Sequence, residues 1–248
     1  MKLGIDMGGM SIKMGLVNEE NKIIGRITIP TDLTVPYQTL VERMADAVRQ
    51  MLENAGMTLE QCGGIGIGSP GTIDAKQGVI LYSNNFGWEN VPIVEELKKH
   101  LDTRIEIAND ADAAALGEVC AGAAEGAENA VLLTLGTGVG SGVILDKKIF
   151  RGAMPGGCEL GHLSIRYDGI RCTCGRKGCL EAYASASALL RIAREKAAEH
   201  PESIMNEMCG NDLEQMNGKI PFDAAKAGDE AGMETVKEYE GYLACGIA

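Results

Sequence analysis

The sequence is short of positive charge. Lys and Arg total 23 against 35 Asp and Glu, which gives a formal net charge of −12. Phosphate-rich partners need a basic face, so neither nucleic acid nor a membrane surface is expected as a partner. A small anionic ligand held by backbone N–H groups is not excluded.

A signal peptide and a long apolar run are also missing. The N-terminus, MKLGID, has no apolar h-region, and no apolar stretch approaches membrane-spanning length. We therefore expect a cytoplasmic protein whose eight Cys stay reduced. In such a compartment a tight group of Cys indicates a metal site more often than a disulfide.

The 248 residues are 45% apolar and 23% charged, as in soluble proteins, and allow one large domain or two lobes. Strand and helix patterns alternate over the first half of the chain. This predicts an α/β N-terminal lobe over residues 1–125. Its predicted strands are 2–6, 12–17, 23–29, 63–71 and 103–110, and its predicted helices are 37–55, 91–101 and 111–124.

The pattern at the start of the chain then recurs. Residues 130–150 read strand, glycine-rich turn, strand, as residues 3–24 do, about 130 positions earlier. This predicts a second lobe of related design over residues 126–248. After residue 182 the pattern is helical and polar, and the chain ends in the apolar run YLACGIA. We therefore expect the second lobe to be incomplete.

Two glycine-rich turns could bind phosphate. DMGGMSIK (6–13) points consecutive N–H groups at one place, Asp6 could hold Mg²⁺ through water, and Lys13 adds a positive charge. LGTGVGSG (135–142) carries four glycines and the Thr137 hydroxyl. A strand follows each turn, so neither is a P-loop or a dinucleotide fingerprint. A hairpin without a ligand remains the alternative for each.

A carboxylate stands where a predicted strand gives way to a helix in IEIANDADAAALGE (105–118). Asp110 there could accept a proton from a substrate hydroxyl. Asn109, Asp110 and Asp112 are also all good N-caps, and the pattern does not choose between them.

Asn84 and Asn85 suit sugar hydroxyls. They lie with the single Trp in NNFGWENVP (84–92), which we predict to be a loop. Turn formation by Asn and Gly is the alternative.

His162, one of only three His, lies ten positions before Cys172, the first of three closely spaced Cys. His162, Cys172, Cys174 and Cys179 suit tetrahedral Zn²⁺, and four protein ligands leave no open position, so the zinc is expected to be structural. Reduced cysteines without metal are the alternative.

Together these segments resemble the ROK family of repressors, unassigned frames and sugar kinases. The resemblance rests on DMGGMSIK, GIGSPGTID, ANDADAAALGE, LTLGTGVGSG, GGCELGH and GHLSIRYDGIRCTCGRKGCLE. The last segment matches the family pattern GHxxxxxxGxxCxCGxxGCxE at every fixed position. The resemblance implies a two-lobed actin-like ATPase fold, of the ribonuclease H-like kind.

The resemblance implies ATP-dependent phosphorylation of a hexose, typically at the 6-hydroxyl, with ATP, Mg²⁺ and a structural Zn²⁺. Glucose is expected from family frequency; N-acetylmannosamine, N-acetylglucosamine and fructose are alternatives. A homo-oligomer, a dimer or a tetramer, is also implied. The implied roles are Asp110 as catalytic base; Asn84, Asn85, Asn109, Glu159, His162 and Glu181 on the sugar; Asp6, Gly8, Gly9, Met10 and Lys13 in the first phosphate region; Gly136, Thr137 and Gly138 in the second; and His162, Cys172, Cys174 and Cys179 on zinc.

This chain departs from the family pattern at Met10, where Thr is usual, and at Cys158, where a small residue is usual. It also ends before the family's C-terminal glycine-rich adenosine segment, so weak ATP binding is expected and a catalytically impaired sugar-binding fragment is an alternative. A ROK regulator would need an N-terminal helix-turn-helix. We expect none, because the chain starts directly on the first predicted strand at Lys2.

Overall fold

The computed structural model describes residues 1–154 and 158–248. Gly156 and Gly157 of the GGCELGH motif lie outside the described residues. The chain forms two compact units. Unit 1 comprises Met1–Leu132 and Gly142–Cys158, and unit 2 comprises Leu133–Ser141 and Glu159–Ala248.

Strands dominate the first half of the described chain and helices the second. The strands are β1 (Lys2–Met7), β2 (Ser11–Val17), β3 (Ile23–Pro30), β4 (Ile65–Ser69), β5 (Thr72–Asp74), β6 (Val79–Ser83), β7 (Trp88–Val91), β8 (Ile105–Asn109), β9 (Ala130–Leu135), β10 (Val139–Leu145) and β11 (Lys148–Ile149). The helices are α1 (Tyr37–Asn54), α2 (Ile93–Lys98), α3 (Asp110–Ala121), α4 (Glu181–Ala184), α5 (Ala186–Glu199), α6 (Ile204–Met208), α7 (Ile220–Lys226) and α8 (Glu230–Ile247).

The main sheet of unit 1 has the strand order β3-β2-β1-β4-β8. Apolar residues alternate along β1, so that Leu3, Ile5 and Met7 are buried, and they share one core with the apolar side of α1. The predicted meander of β1, β2 and β3 and the predicted helix at 37–55 are confirmed.

The register of this sheet places the polar residues of several motifs at one edge. Asp6 pairs with Lys13 of β2 and with Gly68 of β4, and Gly68 pairs with Ala108 of β8. Because β1, β4 and β8 run parallel, their carboxyl ends meet at the same edge of the sheet. The first glycine turn and the start of α3 are therefore neighbours.

A small antiparallel sheet of β5, β6 and β7 follows β4. The prediction of a loop over residues 84–92 is wrong for its second half, because Trp88 begins β7. The strand was missed because WENV has two exposed residues in succession instead of a clean alternation. The Trp88 ring packs 4.8 Å from that of Phe86, so the turn of Asn84 and Asn85 is anchored on aromatic residues.

The third sheet has the order β11-β10-β9 and contains the predicted recurrence of strand, glycine turn and strand. Both long strands are shared between the units, since the divisions fall after Leu132 and after Ser141. The units therefore alternate along the chain, whereas the sequence predicts one boundary, after residue 125.

Helices α4 to α8 are the main regular elements of unit 2, as the polar helical pattern after residue 182 predicts. Ser185 caps α5 by accepting the N–H of Ala188, and Leu180, Ile192 and Tyr239 lie in a shared core. In the described part of the chain, the helices are too short or too polar to cross a membrane.

α3 packs closely against Gly142 of β10. A Cβ on Gly142 would lie 2.5 Å from the carbonyl oxygen of Ala111 and 2.5 Å from the Cβ of Ala115. We expect Gly142→Ala to lower the free energy of unfolding by about 2 kcal/mol, because the helix must move outward. Urea unfolding measures this.

Gly117 of α3 is the matched control, since a Cβ there would meet nothing within 4 Å. Gly117→Ala is expected to raise the free energy of unfolding by about 0.5–1 kcal/mol. Equal effects from the two substitutions would contradict this account of the packing.

Candidate functional site

The first glycine turn connects β1 to β2, and the carbonyls of Gly8 and Met10 in it accept hydrogen bonds from Thr31. The N–H of Gly8 donates to the carbonyl of Ser11 at 3.0 Å. Thr31 holds two other carbonyls: its hydroxyl donates to Gly8 at 2.6 Å and its N–H donates to Met10 at 3.1 Å. Among the described residues, the N–H groups of Gly9 and Met10 have no hydrogen-bond partner. Two adjacent donors of this kind suit an anion.

Other predicted residues of unit 1 surround this turn. Asp6 and Lys13 are exposed and lie opposite each other on β1 and β2. A Cβ on Gly9 would lie 3.8 Å from Nδ2 of Asn85, so the asparagine turn reaches the glycine turn. Asn84 is exposed, and Tyr82 donates to its Oδ1 at 3.5 Å. Met10 is 90% exposed, so its side chain supports no packing in the turn.

Asn109 resolves the question of the N-cap at α3. Its side-chain oxygen accepts the N–H groups of Ala111 at 2.9 Å and Asp112 at 3.3 Å, and its Nδ2 donates to the carbonyl of Gly71 at 3.2 Å. Asn109 is therefore the cap, and neither aspartate is needed for that purpose.

The two aspartates of α3 lie in different surroundings. Asp112 is buried and pairs with Arg151 at 3.4 Å. Burial raises the pKa of Asp112, and the Arg151 guanidinium opposes that shift. Asp110 is exposed, its Oδ1 accepts the N–H of Ala111 at 3.0 Å, and no cation of the described chain pairs with it. Asp110 is thus the carboxylate that a ligand can reach.

The second glycine turn, residues 136–138, repeats the arrangement of the first. The N–H of Ala186 donates to the carbonyl of Gly136 at 2.8 Å, and the Ser187 hydroxyl donates to that of Thr137 at 3.0 Å. The carbonyl of Gly138 accepts the N–H of Gly136 at 3.0 Å. Among the described residues the N–H groups of Thr137 and Gly138 remain without a partner. The turn therefore also presents adjacent donors.

The predicted metal ligands come together in unit 2. The donor atoms of His162, Cys172, Cys174 and Cys179 all lie within 4.8 Å of one another. The Sγ atoms of Cys174 and Cys179 are 3.7 Å apart, and the Sγ of Cys172 is 3.7 Å from Nδ1 of His162. Two thiolates on one tetrahedral zinc ion lie about 3.8 Å apart, so the donor set fits zinc.

The three thiols of this cluster differ in acidity. Hydrogen bonds from the backbone and side chain of Arg176 lower the pKa of Cys174 to about 6. Burial raises the pKa of Cys172, and it raises the pKa of Cys179 to about 12. A metal ion must therefore displace protons from the two buried thiols.

The loop that carries the cluster, residues 162–181, turns sharply before its last ligand. Gly178 has a φ of 79°, and a Cβ on it would coincide with the backbone carbonyl of Arg166. Glycine is therefore required beside Cys179, and we call this segment the cysteine loop. The side chain of Glu159, just before the loop, is exposed, and its carbonyl accepts the N–H of His162 at 3.0 Å.

Glu181 ends the cysteine loop and reaches the second glycine turn. Its Oε1 accepts the Thr173 hydroxyl at 2.9 Å and the Cys172 thiol at 3.4 Å, while its Oε2 accepts the N–H of Val139 at 3.1 Å. A Cβ on Gly138 would fall on the same carboxylate. Both oxygens of Glu181 are therefore engaged within unit 2.

Comparison with known proteins identifies the family. The model of the ROK family matches residues 2–248. The chain belongs to the ROK family. A glucokinase of Thermotoga maritima is 38% identical to this ROK protein over 228 residues, which are 92% of this chain and 70% of the glucokinase.

Two solved ROK structures resemble the model over nearly the whole chain. A ROK glucokinase from Streptomyces griseus, in complex with glucose and AMPPNP, has a TM-score of 0.76 and 31% identity over 99% of this chain and 77% of its own. A ROK hexokinase from Thermus thermophilus has a TM-score of 0.80 and 31% identity, with 99% and 76% covered. The predicted α/β fold of the actin-like ATPase type is therefore confirmed.

The predicted site residues of this ROK protein are divided between its two units. In unit 1 these are Asp6, Gly8, Gly9, Met10, Lys13, Asn84, Asn85, Asn109 and Asp110, and in unit 2 Gly136, Thr137, Gly138, Glu159, His162, Cys172, Cys174, Cys179 and Glu181.

Sequence reasoning missed the residues that support these groups. Thr31 and Ser187 hold the glycine turns, Arg151 pairs with Asp112, and Thr173 donates to Glu181. None of them stands in a motif of its own, so no sequence signal marked them.

Proposed function

We propose that this ROK protein is an ATP-dependent sugar kinase that transfers the γ-phosphoryl group to the 6-hydroxyl of a hexose, with glucose as the expected substrate. The observation that carries the proposal is the pair of glycine turns with outward N–H groups, together with the exposed Asp110 at the edge reached by the first turn. The ROK glucokinase and hexokinase structures that the chain resembles support the same reaction class.

Each glycine turn is proposed to bind phosphate oxygens of ATP. The N–H groups of Gly9 and Met10 and those of Thr137 and Gly138 can hold phosphate oxygens without any basic side chain. Met10 contributes only its N–H, so the absence of a hydroxyl there leaves the backbone donors in place. Mg²⁺ would offset phosphate charge, and the exposed Asp6 carboxylate can hold it through water.

Asp110 is assigned as the base. Its exposed carboxylate can orient the attacking hydroxyl and accept its proton late, because phosphoryl transfer needs little deprotonation before attack. Asn84, Asn85, Asn109, Glu159, His162 and Glu181 are proposed to bind sugar hydroxyls. As part of the proposal, the protein works in the cytoplasm as a homo-oligomer.

Asp110→Asn tests the reaction and the base together. We expect kcat for sugar-dependent ADP release to fall by about 10²–10⁴-fold, while the sugar dissociation constant changes only a few-fold, because the amide still bonds the hydroxyl but cannot take its proton. The assay uses Mg-ATP with a panel of glucose, mannose, fructose, N-acetylglucosamine and N-acetylmannosamine.

Asp112→Asn is the matched control on the same helix. Its carboxylate faces Arg151, so turnover should stay within a few-fold of the original chain. Near-normal turnover in Asp110→Asn would remove Asp110 as the base. Absence of turnover in the original chain, with sugar-dependent thermal stabilisation, would point to a sugar-binding protein instead of a kinase.

We further propose that the cysteine loop binds one structural zinc ion through His162, Cys172, Cys174 and Cys179. The donor set and its spacing support this assignment. Four protein ligands leave no open position, so the metal supplies order to the loop and takes no part in phosphoryl transfer.

Cys179→Ser tests the zinc assignment. We expect the purified original chain to contain one zinc ion, and to unfold at a higher temperature than the chelator-treated chain, because metal binding is linked to folding. Cys179→Ser should lose the metal, whereas Cys120→Ser, which removes an exposed thiol elsewhere, should keep it. Elemental analysis and calorimetry measure both effects, and equal zinc contents in the two variants would contradict the assignment.

A further inference from the structure

The Glu181 side chain bonds both the cysteine loop and Val139, the residue that follows the second glycine turn. On one side it accepts Thr173 and Cys172 of the loop, and on the other it accepts the N–H of Val139, the residue after the turn. The absent Cβ of Gly138 lets the turn lie directly on this carboxylate. The carboxylate is one rigid planar group. A change in the hydrogen bonds at Oε1 therefore shifts Oε2 and alters its bond to the N–H of Val139.

The two donors at Oε1 differ in strength. The Cys172 thiol lies 3.4 Å from this oxygen, and a thiol is a weak donor. The Thr173 hydroxyl lies at 2.9 Å and is therefore the main donor from the loop.

Thr173 is well placed to hold the Glu181 carboxylate, because it stands between two predicted zinc ligands, Cys172 and Cys174. Ligation of both neighbours would fix the backbone of Thr173 and so the position from which its hydroxyl donates. The side chain is otherwise exposed, so it contributes little to packing.

We infer that Thr173 is a positioning residue of the second glycine turn: it holds Glu181 so that the carboxylate bonds the N–H of Val139 and fixes the donors of Thr137 and Gly138. The role for ATP rests on the proposed kinase function, whereas the structural coupling does not.

The test compares Thr173→Val, which removes the hydroxyl at nearly constant shape, with Thr173→Ser, which keeps it. Amide hydrogen exchange at Val139 is followed by NMR in the zinc-loaded chains. We expect faster exchange in Thr173→Val, exchange close to that of the original chain in Thr173→Ser, and an unchanged zinc content in both. The KM for ATP should rise about three- to tenfold in Thr173→Val, with kcat within about twofold, because the bond to the Glu181 carboxylate is lost and acts on the turn only through Val139.

Two results would overturn the inference, and a third would bear only on the kinase function. Unchanged exchange at Val139 in Thr173→Val would show that the hydroxyl does not hold the turn. Loss of zinc in Thr173→Val would show that it serves the metal cluster instead. Altered exchange without phosphoryl transfer in any chain, the original included, would leave the coupling in place and refute only the kinase function.

Discussion

A glycine turn can bind phosphate only if its carbonyl oxygens are held away from the ligand. In both turns of this chain a hydroxyl and an N–H from a following segment bind two carbonyls. A backbone bond also closes each turn, from Gly8 to Ser11 in the first and from Gly136 to Gly138 in the second. Thr31 serves the first turn, and Ala186 and Ser187 serve the second. The outward N–H groups then provide positive potential in a chain whose net charge is −12.

To keep its carbonyl groups bonded, each glycine turn must be held by neighbouring elements of its own unit. In unit 1 the parallel pairing of β1, β4 and β8 brings the first turn to the edge where Asn109 caps α3 and leaves Asp110 exposed. In unit 2 the start of α5 holds the second turn, and Glu181 attaches it to the cysteine loop. The two glycine turns, Asp110 and the cysteine loop are thus each held by regular secondary structure.

Periodicity predicted β1 and α1, because the alternation in β1 and the apolar stripe of α1 each bury one face. It missed the small sheet of β5, β6 and β7, where WENV of β7 has no alternation, and it could not choose between Asp110 and Asp112. That choice depended on two long-range facts, the cap by Asn109 and the ion pair with Arg151. Thr31, Ser187 and Thr173 act through single hydroxyl bonds to partners that sequence spacing does not reveal.

The most direct measurement is the amide NMR spectrum of the zinc-loaded chain as Mg-AMPPNP is added. The account predicts that the largest chemical-shift changes occur at the N–H groups of Gly9, Met10, Thr137 and Gly138, because these donors have no partner among the described residues. Binding that leaves these four signals in place and shifts others would contradict the assignment of the phosphates to the glycine turns.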